Sequence, residues 1–232
     1  MTLSYSELLE LLASMNRIAP ESEGAFKARL RHFQRLGFPK GSNTGKGRRA
    51  EYDLDMVLQL ALAIQFMQAG VTPQHTVSLI TKNWSETRTY FLFAAAPGPL
   101  KAENGAVLSN ELALCVSPEA LRELTTDGES EVDHFEAFNF IEVDKLPEFL
   151  KDNPEQPVLG DFYRWIVILL RPLVAVLMLS IEDLFKIDAA SSFVELQRIV
   201  RKHHEDLEAL SKEIEAVVIE MQEARERGDG NP

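Results

Sequence analysis

The sequence predicts an α+β fold in three consecutive parts: a helical module over residues 1–84, a small central α/β segment over 85–188 and a coiled-coil helix over 191–228. Three patterns predict it. Residues 1–84 carry apolar side chains at helical spacing in four runs separated by Gly and Pro breaks. Residues 85–188 hold short, continuous apolar runs rich in β-branched and aromatic residues, alternating with helical segments. From Phe193 onward, apolar residues recur alternately every three and four positions.

In the first part, Leu8, Leu9, Leu11 and Leu12 predict a helix over Ser4–Ser14, with Ser4 or Ser6 as its N-cap. After the break at Ile18-Ala19-Pro20, Phe26, Leu30, Phe33 and Leu36 give Glu21–Leu36 one apolar side. Lys27, Arg31 and Arg35 fall on another side, and Gly37 is placed to end the helix in the left-handed conformation. The stretch from Phe38 to Tyr52 is dense in Gly, Pro, Ser and Asn and predicts a hairpin or wing with a basic tip. Asp53 or Asp55 caps a third helix carrying Val57, Leu60, Ala61, Ile64 and Met67, which Gly70 ends; Thr72-Pro73 opens a fourth through Val77 and Ile80.

In the second part, Thr89–Ala94 reads as a buried strand closed by Ala96-Pro97-Gly98-Pro99. Leu112–Val116 is a second strand, running into a short helix capped by Ser117-Pro118, and Ala137–Val143 is a third, ahead of a helix over Lys145–Leu150. Trp165–Leu170 is a fourth, and Pro172 starts a helix through Phe185. Strands so uniformly apolar are expected to be covered on both faces.

The third part places Phe193, Leu196, Val200, His203, Leu207, Leu210, Ile214, Val217, Met221 and Ala224 on one stripe, the seam of a coiled coil with His203 as its one polar position. An amphipathic helix packed on its own domain is the plain alternative; a narrow 3.5-residue stripe favours pairing with a second helix, and hence a homodimer through Leu196 to Met221.

Charge narrows the functional classes. The chain has a formal net charge of -12, yet Lys27 to Arg49 holds eight bases and no acid. Residues 1–84 carry ten Lys+Arg against seven Asp+Glu, and residues 85–232 carry fourteen against twenty-nine. The commoner fate of a charge run is a solvated helix face. Eight uncompensated bases on a helix and an adjoining glycine-rich loop favour a polyanion instead, because phosphate binding rests on Lys and Arg.

The one cysteine, Cys115, excludes an intrachain disulfide and a Cys cluster for zinc, which reads as cytoplasmic. No signal peptide is indicated. The most apolar stretch, Phe162–Phe185, is interrupted by charge and leaves only Pro172–Ile181 clear, too short to span a bilayer. No phosphate loop, nucleophile elbow or metal-spaced cluster occurs, so no catalytic, cofactor or metal residues are nominated and no enzyme is expected.

With these residues in place, the first third resembles the winged-helix DNA-binding domain of the MerR family of transcriptional regulators. In that family a helix-turn-helix is followed by a wing and two more helices. Arg31-His32-Phe33-Gln34-Arg35-Leu36-Gly37-Phe38 is similar to the family's pattern at the end of the recognition helix. Gly45-Lys46-Gly47-Arg48-Arg49-Ala50-Glu51-Tyr52 stands where the family has its wing, and Gln68–Pro73 resembles the turn before the fourth helix. His32 replaces an aromatic, and the wing is longer than the family's. The resemblance implies a DNA-binding transcriptional regulator that binds duplex DNA as a homodimer. It implies that Lys27, Arg31 and the residues Ser22 and Glu23 near the helix start face the major groove, with Lys46, Arg48 and Arg49 on phosphate or minor groove. Arg35 and Lys40 complete the expected basic surface. A nucleoid, partition or phage-type adaptor built on the same winged module is the alternative, and by position the central segment is a candidate effector domain without a named ligand.

Overall fold

A computed structural model describes residues 1–43, 49–101, 107–117, 138–151, 165–203 and 205. The chain starts with a strand, β1 (Thr2–Ser4), and enters α1 (Tyr5–Met15) through a capping box. Ser4 Oγ accepts from the Glu7 amide at 3.4 Å, and the Glu7 carboxylate accepts from the Ser4 amide at 2.7 Å. Two otherwise orphaned helix donors are satisfied, which settles Ser4 rather than Ser6 as the cap and contributes about 1 kcal/mol. Leu8, Leu9, Leu11 and Leu12 are all buried, as their spacing predicts.

A single 3₁₀ turn (Pro20–Ser22) leads into α2 (Glu23–Arg35), which buries Phe26, Leu30 and Phe33. Leu36, expected on the same side, lies beyond the last helical residue and is exposed. Gly37 adopts φ +72°, and the amides of Gly37 and Phe38 bond back to the carbonyls of Gln34 and Phe33. A β-carbon is disfavoured at that φ, so glycine stands where the chain reverses. The same closure at Gly70 ends α3.

The wing expectation needs correcting in one respect. The strand that leaves the loop, β2 (Glu51–Asp53), pairs antiparallel with β1 at the chain's start, Leu3 opposite Tyr52, and not with the segment before the loop. Both inward residues are buried while their strand neighbours are exposed. Asp53 then caps α3 (Leu54–Gln68), its carboxylate accepting from the Met56 amide at 2.9 Å. Nine residues of α3 are buried. A helix apolar over so much of its circumference belongs in the centre of the core.

The largest departure from expectation is α4 (Pro73–Ala95), capped by Thr72. Its 23 residues run straight through Thr89–Ala94, the segment expected to be a strand, and through the expected domain boundary at 84/85. The run Thr-Tyr-Phe-Leu-Phe-Ala is apolar enough to suit either state, but Trp84, Thr87, Phe91 and Ala94 are buried at three- and four-residue intervals, the helical period. Asp55, the alternative cap, instead locks α3 to α4: it accepts from Trp84 Nε1 at 3.1 and 3.0 Å and from Arg88 Nε at 2.6 Å.

The strands Leu112–Val116, Phe138–Glu142 and Ile166–Leu169 form where expected. With the short pair β3 (Leu100–Lys101) and β4 (Val107–Leu108) numbered ahead of them, they are β5, β6 and β7. They make one antiparallel sheet in the order β6-β5-β7, with Leu114 opposite both Phe140 and Ile168. Only central β5 is buried throughout; on edge strand β7, Val167 and Leu169 are exposed, so the expected cover on both faces holds for one strand alone. A 3₁₀ turn (Val143–Lys145) and α5 (Leu146–Phe149) follow β6, and α6 (Leu170–Phe185) follows β7 directly and packs on α1 and α4. The short helix expected after Ser117-Pro118 lies outside the described residues.

The final described helix, α7, covers 189–203. Leu196 and Val200, expected on a seam between two chains, are buried in this chain's own core at 0% and 5% exposure. His203 Nε2 and Ser85 Oγ on α4 lie 2.7 Å apart, and Glu195 sits 3.8 Å from the chain's own ammonium terminus. The described start of the stripe is therefore packing within one subunit. A three-and-four spacing marks a buried face whichever chain covers it. Leu207, Leu210, Ile214, Val217 and Met221 lie outside the described residues. The apolar core is contiguous from Leu3 to Val200, crossing the expected domain boundaries. Among the described residues, no helix is long and apolar enough to cross a membrane.

Candidate nucleic-acid interface

The start of α1, one face of α2 and the residues on either side of the glycine-rich loop enclose a groove of about 1220 Å³. Lys27, Arg31 and Arg35 line it from α2, at intervals of four residues that stack them along a single face. Arg49 lines it from the return of the loop. Among the described residues, no carboxylate lines the groove and none of these four bases is ion-paired to one. Arg31, Arg35 and Arg49 are exposed and Lys27 is partly buried. The cationic heads thus share one concavity with little local neutralisation.

The wall opposite α2 consists of residues that charge patterning does not find. Ser4, Tyr5 and Ser6 line it at the entry to α1, whose capping box already engages the amides of Ser4 and Glu7. Tyr5 bridges the two helices, its hydroxyl donating to the Lys27 carbonyl at 3.4 Å. Burial pushes the Tyr5 phenol above its ordinary pKa, and the neighbouring Arg31 guanidinium works against that rise. The phenol therefore stays neutral beside Arg31. Gln34, also in the groove, donates to the Tyr52 hydroxyl at 2.5 Å, and burial raises Tyr52 likewise. Ser42 and Asn43 extend the lining toward the loop. Ser42 is buried, and its hydroxyl oxygen has no hydrogen-bond partner among the described residues.

Of the residues expected on the interface, the structure brings Lys27, Arg31, Arg35 and Arg49 together. Ser22 and Lys40 are exposed but stand outside the groove lining. Lys46 and Arg48 lie outside the described residues. The only legible sign of the α1 wall was Ser4 as a cap. Its position opposite α2 follows from β1 pairing with β2, a contact between residues about fifty positions apart.

The lining offers guanidinium, ammonium, amide and hydroxyl donors and no base poised beside a nucleophile. Donors of these kinds are able to bond phosphate oxygens and base edges. Cys115 stands apart, buried in β5 with its thiol pushed up to about 11 by burial, which keeps it protonated and unreactive. Among the described residues, no group of three or more His, Cys, Asp or Glu is arranged to hold a metal ion. Comparison with known proteins returns no match: no family model, no curated protein and no solved structure aligns with this chain.

Proposed function

We propose that the chain is a DNA-binding transcriptional regulator of the cytoplasm that docks its N-terminal groove on duplex DNA. The observation that carries this reading is the groove itself: four bases and no acid on one concavity of a protein with a net charge of -12. An acidic protein is repelled by DNA everywhere except where its field is locally inverted. The two helices α1 and α2 ahead of the basic stretch and the two helices α3 and α4 after it support the order that the resemblance to the MerR family implies, although β2 pairs with β1 rather than within a wing. In this reading α2 presents Arg31 to base edges, while Arg35 and Arg49 grip the backbone. Two copies acting together place two readers on adjacent half-sites and raise the effective concentration of the second.

The reading is tested by selecting bound fragments from a random duplex library and then titrating the winner and a scrambled duplex. An enriched motif that Arg31→Ala binds no better than scrambled DNA supports a sequence-reading regulator. Binding without any enriched motif assigns the groove to the adaptor class of nucleoid or partition proteins. Absence of duplex binding at low salt refutes both.

A further inference from the structure

We propose that the outer face of α6, together with the free edge of β7, is a self-association surface whose occupant is a second copy of this chain. Val167 and Leu169 on β7 and Val176 and Leu179 on α6 are 38%, 44%, 44% and 63% exposed. Single exposed apolar residues are ordinary; a contiguous set is not. Val167, Leu169 and Val176 line one groove of about 560 Å³, and Leu179, on the next turn of α6, opens a second. The edge strand is Ile-Val-Ile-Leu, without the charge, proline or bulge that normally keeps an exposed edge from pairing.

The charges around this face select the occupant. At the N-terminal end of α6 the first groove is bordered by Arg17 and has no acid among the described residues of its lining. At the C-terminal end the described lining of the second comprises Leu179, Glu182, Asp183, Lys186 and Asp188, three acids against one base. A surface basic at one end, apolar in the middle and acidic at the other is complementary to itself under a two-fold rotation. With the axis between Val176 and Leu179, Val176 meets the partner's Leu179, and Arg17 meets the partner's Glu182 and the partner's Asp183. The start of the C-terminal stripe cannot serve instead, because Leu196 and Val200 are already buried against their own chain.

Sedimentation velocity of the full chain without DNA, from low to high micromolar concentration, tests the surface independently of any nucleic-acid binding. The wild type is expected to dimerise reversibly. Val176→Glu with Leu179→Glu is expected to raise the dissociation constant by about 100-fold, because two carboxylates would be buried at each contact. Both positions are exposed in the single chain, so the circular dichroism spectrum and melting temperature should hold; Leu179→Ser is the milder companion. Arg17→Glu alone, and Glu182→Lys with Asp183→Lys alone, should each weaken the dimer, and the combined variant should regain it to within about threefold. Recovery supports the antiparallel two-fold arrangement. A wild type that stays monomeric, a dimer indifferent to Val176→Glu with Leu179→Glu, or charge exchange without recovery each overturns the proposal.

Discussion

Replacing Arg31, Arg35 and Arg49 together with Ala is the most direct perturbation of the groove. All three guanidinium groups are exposed, line the same concavity and have no carboxylate partner among the described residues. If Arg35 and Arg49 each neutralise one phosphate while Arg31 meets base edges, the plot of log affinity against log salt becomes shallower by about 1.8. Between about 50 and 200 mM salt the variant should then lose about 12-fold less affinity than the wild type, although it binds more weakly throughout. Fluorescence anisotropy on a short labelled duplex at several salt concentrations reads the slope, and an unchanged melting temperature shows that the fold is intact. Arg29, exposed on α2 but outside the groove lining, is the control, and Arg29→Ala should leave the slope unaltered. A folded triple variant whose slope moves by less than about one unit, the equivalent of one phosphate, would refute the assignment of this groove to the DNA backbone.

The remaining predictions concern stability. Asp55→Ala should lower the unfolding free energy in urea by about 3 kcal/mol, since it strands the Trp84 indole N–H and leaves the largely buried Arg88 guanidinium unpaired. Arg88→Met, which retains the Trp84–Asp55 bonds, should be milder; equal losses would assign the effect to packing. Leu196→Ala should cost about 2–5 kcal/mol in a manner independent of protein concentration, as for a cavity in a single chain; a loss that appears only on dilution would return Leu196 to a subunit interface. Glu7 and Asp188 each have a lowered pKa, caused first by backbone hydrogen bonds at the N-termini of α1 and α7. Their contribution is present above the ordinary carboxylate range and is lost as the pH falls through the lowered values. Glu7→Gln with Asp188→Asn should accordingly flatten the acid limb of stability against pH, and an acid limb as steep as the wild type's would show that other carboxylates govern it.

What could be read from the sequence is local. Ser4, Asp53 and Thr72 cap helices because their side chains reach amides three residues on, and Gly37 and Gly70 end helices because they accept a positive φ. The strands β5, β6 and β7 and the helix α6 stand where apolar runs between turn residues put them. The cationic stretch was equally legible, since charge is written residue by residue. Thr89–Ala94 suits a strand as readily as a helix because Thr89 and the five apolar and aromatic residues after it carry no decisive period; only their phase with Leu79, Ile80 and Trp84 on the preceding turns makes them helix. Three-residue β1 has too few positions for any period and exists because Leu3 finds Tyr52 across the sheet.

The sequence by itself determined that a basic helix face, an apolar stripe and an apolar third helix exist, because caps, breaks and spacing act over a few residues. Tertiary structure alone decided what each meets: Tyr5 beside Arg31, Asp55 beside Arg88, and Leu196 against its own core. Periodicity reports that a face is covered and charge reports a sign, but the identity of the covering surface depends on contacts between segments far apart in the chain, which are set by the packing of the whole core.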